Sequence, residues 1–194
     1  MQDTVKLFIG TSDNHDDLAQ KVYLYTLFKN ASMPLDIVFL RPKDFPGWNR
    51  KTWGTPFTCY RYAVPHLMGY KGKALYTDVD MVNFRDIAAL YKTDLEGKAF
   101  GMVWDALQDN GKEGTKAGYP RGFWCDSVLL IDCEKAKEFV DPIDTIIKWN
   151  KNYSYKEVTK LILAELKKKW KQIFTKFFIF FCYILKILPN IIII

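Results

Sequence analysis

Apolar and polar residues along this chain switch between two periods, and the switches mark its elements. Thr4-Val5-Lys6-Leu7-Phe8-Ile9-Gly10 is a β-prone run that predicts a first strand. Thr11-Ser12-Asp13-Asn14 follows as a polar loop with helix-capping chemistry. Over residues 16–29, Leu18, Val22, Tyr25 and Phe28 recur at helical spacing and predict a helix. Leu35–Leu40 predicts a second strand, and Arg41–Gly54, broken by Pro42, Pro46, Gly47 and Gly54, predicts a loop. Thr55-Pro56 sets a capping residue before a first-turn proline. A helix is expected from there through Arg61 towards Tyr70, kinked at Pro65. Lys71-Gly72-Lys73 reads as a turn and Lys73–Thr77 as a strand.

A short helix is expected after Asp86, then a strand at Ala99–Trp104. Gln108–Gly122 is polar, holds Gly111, Gly114, Gly118 and Gly122, and reads as a mobile loop. Asp126–Ile131 predicts a further strand, with helical sequence after it. Strands alternating with helices imply an α/β protein with a largely parallel sheet. Ligands of such sheets bind outside the carboxyl ends of the strands, where Thr11–Asp13, Asp78 and Asp80 all fall.

Composition narrows the picture. At 194 residues the chain has room for one domain with a real core. The net charge of +6 is not spread along it. Residues 1–155 carry 20 Lys+Arg and 20 Asp+Glu, whereas residues 156–194 carry eight Lys and two Glu. The whole excess lies in the last segment, so the neutral body argues against a nucleic-acid partner. Cys59, Cys125, Cys133 and Cys182 form no C-x-x-C pair, and His15 and His66 are the only histidines. That set argues against a zinc site and suits a reduced, cytoplasmic setting. Met1-Gln2-Asp3-Thr4 reads as having no signal peptide.

Residues 156–194 contain no Gly, Asp, Arg or His and end in four isoleucines. The expected organisation is a body at 1–155 and a basic, apolar tail at 156–194. The run Phe177–Leu185, flanked by Lys176 and Lys186, is shorter than the roughly 20 residues of a spanning helix. Three readings of the tail stand. It is aberrant sequence from a disrupted reading frame, the favoured reading, since a tetra-isoleucine end has no packing purpose. It is an interfacial segment giving peripheral membrane contact through Lys167-Lys168-Lys169 and Lys171. Or it is a buried terminal helix.

The chemistry concentrates in Ala74-Leu75-Tyr76-Thr77-Asp78-Val79-Asp80-Met81-Val82. An apolar strand delivers two carboxylates spaced i, i+2, which on a strand share a face. Their repulsion is relieved by a hard divalent cation, Mn²⁺ or Mg²⁺, which keeps positions open for substrate phosphates. Two aspartates leaving a strand also serve as plain turn and cap residues. Asp78-Val79-Asp80-Met81-Val82 further fits the nucleophile loop of haloacid-dehalogenase-type phosphatases, with Asp78 attacking phosphorus and Asp80 as acid/base. That family places its motif on the first strand, and here two predicted strands come earlier.

The wider context resembles family-eight-type glycosyltransferases. Arg61-Tyr62-Ala63-Val64-Pro65 is similar to their R-[FY]-x-[IVL]-P helix core. The D-x-D strand and Asp86-Ile87-Ala88-Ala89-Leu90 continue the likeness, and Asp126-Ser127-Val128-Leu129-Leu130-Ile131 is similar to their second block. The resemblance spans roughly residues 4–150 and is strongest at 55–90. It implies a GT-A, Rossmann-like fold with a mostly parallel central sheet. It implies a nucleotide-sugar donor, commonly a UDP-hexose, bound with Mn²⁺ and passed to a glycan, lipid or protein acceptor, with retention of anomeric configuration. Asp78 and Asp80 match the metal carboxylates, and Asp78 also the ribose contact. Arg61 matches an arginine that reaches the donor. Thr11, Ser12 and Asp13 lie where base and ribose are held. Asp126 and Ser127 occupy the donor-sugar position and are the candidate catalytic residues. Bland alternatives stand beside each: a surface helix arginine for Arg61, a helix cap for Thr11–Asp13, a turn residue for Asp126. His66 reads as structural. Trp48, Trp53 and Trp104 read as core before sugar-stacking residues.

The chain departs from the family pattern at defined places. Asp126-Ser127-Val128 stands where the family has Asn, a small residue and Gly. The later D-Q-x-x-L-N segment and the terminal metal-binding histidine motif do not occur, since no His follows His66 and no Gly follows Gly122. Either a different ligand completes the metal shell or, the preferred expectation, the catalytic domain is cut short near residue 155 and binds donor without turnover. A membrane-associated, non-enzymatic binding protein acting through the basic, apolar tail is a further alternative.

Overall fold

A computed structural model describes residues 3–12, 16–48, 55, 57–105, 123–140 and 143–152. Asp13, the polar loop at 108–122 and the tail at 156–194 lie outside the described residues. Five strands form one sheet: β1 (Val5–Gly10), β2 (Leu35–Leu40), β3 (Lys73–Asp78), β4 (Phe100–Asp105) and β5 (Phe123–Asp132). Their spatial order is β2-β1-β3-β5-β4. β1 pairs in parallel with β2 and β3, and β5 runs antiparallel to both β3 and β4. Four strands therefore share one direction and β5 opposes them.

Position in the sheet explains the burial of each strand. β1 and β3 are central, and their consecutive residues Phe8, Ile9, Ala74, Leu75, Tyr76 and Thr77 are all buried, so both faces are covered. β2 lies at the edge and alternates instead, with Asp36 and Val38 exposed. α4 (Cys133–Val140) buries Cys133, Ala136 and Val140, a helical stripe, and packs beside α2 (Val64–Leu67) and α5 (Ile143–Asn152).

Two local expectations change. The helix α1 (Asp17–Asn30) forms as the spacing predicts. Its periodic residues, however, do not face the core: Leu18, Val22, Tyr25 and Phe28 are 76%, 41%, 65% and 62% exposed. The buried face carries Tyr23 and Leu27. Polar anchors on that side select it. Tyr23 Oη donates to Thr77 Oγ1 at 3.0 Å, and Asn30 Nδ2 donates to the Asn83 carbonyl at 2.8 Å.

The helix expected from Thr55 to Tyr70 is instead a 3₁₀ segment, Thr58–Ala63, leading into the four-residue α2. Pro65 has no N–H to bond the Arg61 carbonyl, so a continuous α-helix cannot pass it. The Arg61 carbonyl accepts from Val64 N–H, and Pro65 takes a first-turn place in a new helix. The tighter 3₁₀ turn buries Cys59, Tyr60, Arg61 and Ala63 together. Trp48 belongs to the core: it stands edge-on to Phe45 and Tyr60, which stack on each other with centroids 4.2 Å apart. His66 lies at the surface near Tyr70.

Candidate functional site

The strand register brings the polar ends together. Gly10 pairs with Leu40 on one side and with Asp78 on the other, so β1, β2 and β3 end level. β5, running the opposite way, begins at this edge, and Thr77↔Val128 sets Ser127 beside Asp78. On its other side β5 is bulged. Met102 pairs with Leu129 but Val103 with Cys125, so Asp126, Ser127 and Val128 have no partner on β4. A bulge of this kind releases side chains from the flat ladder and re-aims them. Asp126 thus sits inside a strand rather than in a turn before one.

Arg61 is the centre of the site. It is 2% exposed, and its Nη2 donates to Asp78 Oδ1 at 3.1 Å and approaches Oδ2 at 3.5 Å. Its Nη1 forms an ion pair with Asp126 Oδ1. The guanidinium carbon lies 5.0 Å from the Tyr76 ring centroid, a cation–π contact. Tyr76 Oη donates to Asp78 Oδ1 at 2.6 Å, and the Ser127 side chain also bonds Asp78. Arg61 Nε has no hydrogen-bond partner among the described residues. The surface-arginine reading of Arg61 therefore does not hold.

Electrostatics follow from this enclosure. Burial, with the Asp126 charge beside it, leaves the Asp78 carboxyl above its ordinary range, although Arg61, Tyr76 and Ser127 pull against the rise. Burial works against the charge on Arg61, but the Asp126 and Asp78 carboxylates beside it outweigh that and hold the guanidinium protonated. Burial likewise keeps Tyr76 a neutral hydroxyl, hence a donor.

The other predicted residues take different places. β3 ends at Asp78, so Asp80 lies in the bend beyond it rather than on the strand. Asp80 is exposed and makes no ion pair or hydrogen bond among the described residues, while Val79 between the two is buried. Among the described residues no three metal-ligating side chains converge. Of the two carboxylates expected to hold a cation, Asp78 is held by its neighbours and Asp80 is open. Such a hard oxygen pair fits a divalent cation that draws its remaining ligands from a substrate. Thr11 and Ser12 are buried at the end of β1. Ser12 N–H donates to Asp16 Oδ2 at 2.7 Å and Thr11 Oγ1 to the same oxygen at 3.3 Å. Tyr76 was not singled out by the sequence. The signal that could have found it is its i−2 spacing from Asp78, which puts both on one strand face.

The fold is that of GT-A glycosyltransferases. LgtC, in the structure of an active-site mutant, superposes with a TM-score of 0.55 at 18% identity, over 84% of this chain and 70% of that one. LgtC described as a galactosyltransferase with donor and acceptor sugar analogues gives 0.53 at 17% identity, over the same shares. The family model for glycosyl transferase family 8 matches residues 43–186, and this chain belongs to that family. The match continues across the composition change at residue 156. Protein CDI of Arabidopsis thaliana is 29% identical over 144 residues, 68% of this chain and 54% of CDI. The chain thus spans about half the length of the curated relative it matches. Family membership sets aside the phosphatase alternative.

Proposed function

We propose that this chain is a glycosyltransferase that binds a nucleotide-sugar donor, a UDP-hexose, with Mn²⁺ or Mg²⁺ at the carboxyl edge of β1 and β3, and passes the hexose to a glycan, lipid or protein acceptor. The observation that carries this reading is the buried Arg61 held between Asp78 and Asp126 where the strands end. Charge supports it further. Asp78 and Asp126 pair with Arg61 and Asp80 adds an exposed carboxylate, so these four residues together carry a formal excess of two negative charges, which one divalent cation balances.

In this reading Asp80, open to solvent, and Asp78 hold the cation. When bound, it supplies Lewis-acid neutralisation of the diphosphate leaving group. Arg61 fixes the orientations of Asp78 and Asp126 by charge-assisted hydrogen bonds. Asp126 and Ser127, on the bulge of β5, face the sugar, and Asp126 can only accept hydrogen bonds from its hydroxyls. Thr11 and Ser12, buried at the end of β1, line the base and ribose end, a role the family likeness also gives to Asp13. Calorimetric titration of UDP with and without Mn²⁺ tests this. Metal-dependent binding by the wild type, lost in Asp80→Ala, is the expected result; metal-independent or absent binding would sink the proposal.

A further inference from the structure

Tyr76 is a buried polar residue that the donor-site reading does not use. Its ring lies under the Arg61 guanidinium, 5.0 Å from the guanidinium carbon, and its hydroxyl reaches Asp78 Oδ1 at 2.6 Å. One side chain therefore touches both halves of the buried ion pair. The path of the hydroxyl is set by the neighbouring strand. A Cβ built on Gly10 would meet Tyr76 Oη at 2.3 Å, Tyr76 Cζ at 3.0 Å and Phe57 Cδ2 at 3.0 Å. Real Cβ atoms essentially never show contacts under 3.0 Å, so only glycine at position 10 lets the hydroxyl pass over β1 to the carboxylate. Gly10 pairs directly with Asp78, so the slot lies at the site itself.

We propose that Tyr76 is a positioning residue for Asp78, and that Gly10 is the slot that lets it act. The hydroxyl occupies Asp78 Oδ1 alongside Arg61, and the ring supports the guanidinium from below. Asp78 thereby presents one carboxylate orientation to the donor and cation, and the cost of ordering it is met before binding. The inference rests on the donor-site reading given above.

Tyr76→Phe keeps the ring, its packing and the cation–π contact, and removes only the hydrogen bond. Gly10→Ala keeps the hydroxyl but displaces it. Calorimetry with UDP and Mn²⁺ is the probe, with thermal melting as the control for folding. Tyr76→Phe is expected to raise the Kd about tenfold, the scale of one hydrogen bond to a charged group. Gly10→Ala is expected to weaken binding at least as much. The Tyr76→Phe/Gly10→Ala double variant should bind no worse than Gly10→Ala alone, because both changes remove the same contact. A Tyr76→Phe protein that melts lower yet binds within twofold of wild type overturns the positioning role, as do strictly additive losses. Absence of binding by the wild type overturns this inference and the donor-site reading together. Binding by the wild type with no effect of either variant overturns this inference alone.

Discussion

Arg61 carries a positive charge in an almost fully buried position, which is tolerable only because two carboxylates and an aromatic face meet it there. Removing it strands Asp78 and Asp126 together. Arg61→Ala is therefore expected to lower the unfolding free energy by about 3–5 kcal/mol, measured by urea denaturation. A loss below about 1 kcal/mol would show that water reaches the pair. Arg61→Lys should recover only part of the loss, since an ammonium lacks the planar fork that serves two carboxylates at once. Of this cluster, the sequence pointed to Arg61, Asp78, Asp126 and Ser127 through the family likeness. It did not point to Tyr76, because a tyrosine in a β-rich run looks like any other core aromatic.

Helix α1 illustrates what periodicity can and cannot say. Helical spacing of apolar residues establishes the helix, but α1 carries two stripes and the sheet takes the one with polar anchors. Leu27→Ala should cost about 2–5 kcal/mol, as for other buried leucines. Leu18→Gln and Phe28→Gln, on the exposed stripe, should each change stability by less than about 0.5 kcal/mol in the same denaturation experiment. At the other end of β3, Asp86 caps α3 (Ile87–Tyr91), accepting from Ala88 N–H at 3.0 Å. It also accepts from Ser32 N–H at 3.2 Å and from the Ser32 hydroxyl, tying the cap to the chain after α1. Asp86→Ala should cost about 1 kcal/mol. Burial opposes ionisation of Asp86, but the Ser32 and Ala88 bonds outweigh it and its carboxyl falls below the ordinary 3.8. A depressed folded-state pKa means the contribution is present above 3.8 and lost as pH falls through the lower, folded value. The difference between wild type and Asp86→Ala should accordingly narrow only in that acid range, and modestly, because Asp86 is largely solvated. A difference that shrinks already near neutral pH would contradict the assignment.

Across the whole molecule, the proposed site draws on β1, β3, the 3₁₀ segment and β5, which are distant in the chain. A ligand held by all four stabilises the assembled sheet and has no counterpart in the unfolded chain. UDP with Mn²⁺ at about 100 times Kd should thus add about 2.7 kcal/mol to stability, seen as a rise in melting temperature that a chelator reverses. A rise that survives chelation would argue against metal-dependent binding. Among the described residues no helix is long and apolar enough to cross a membrane. By itself the sequence determined the order of strands and helices, the α/β class and the position of the paired carboxylates, because local periodicity and strand-exit chemistry are written within a few residues. Its resemblance to family 8 added Arg61 as their neighbour. Only the tertiary structure decided which face of α1 is buried, that Pro65 splits the expected helix, that β5 runs against its neighbours, and that Asp126 rather than solvent meets Arg61. Those outcomes depend on pairings between residues tens of positions apart. Register and burial choose among such pairings, and no local pattern encodes the choice.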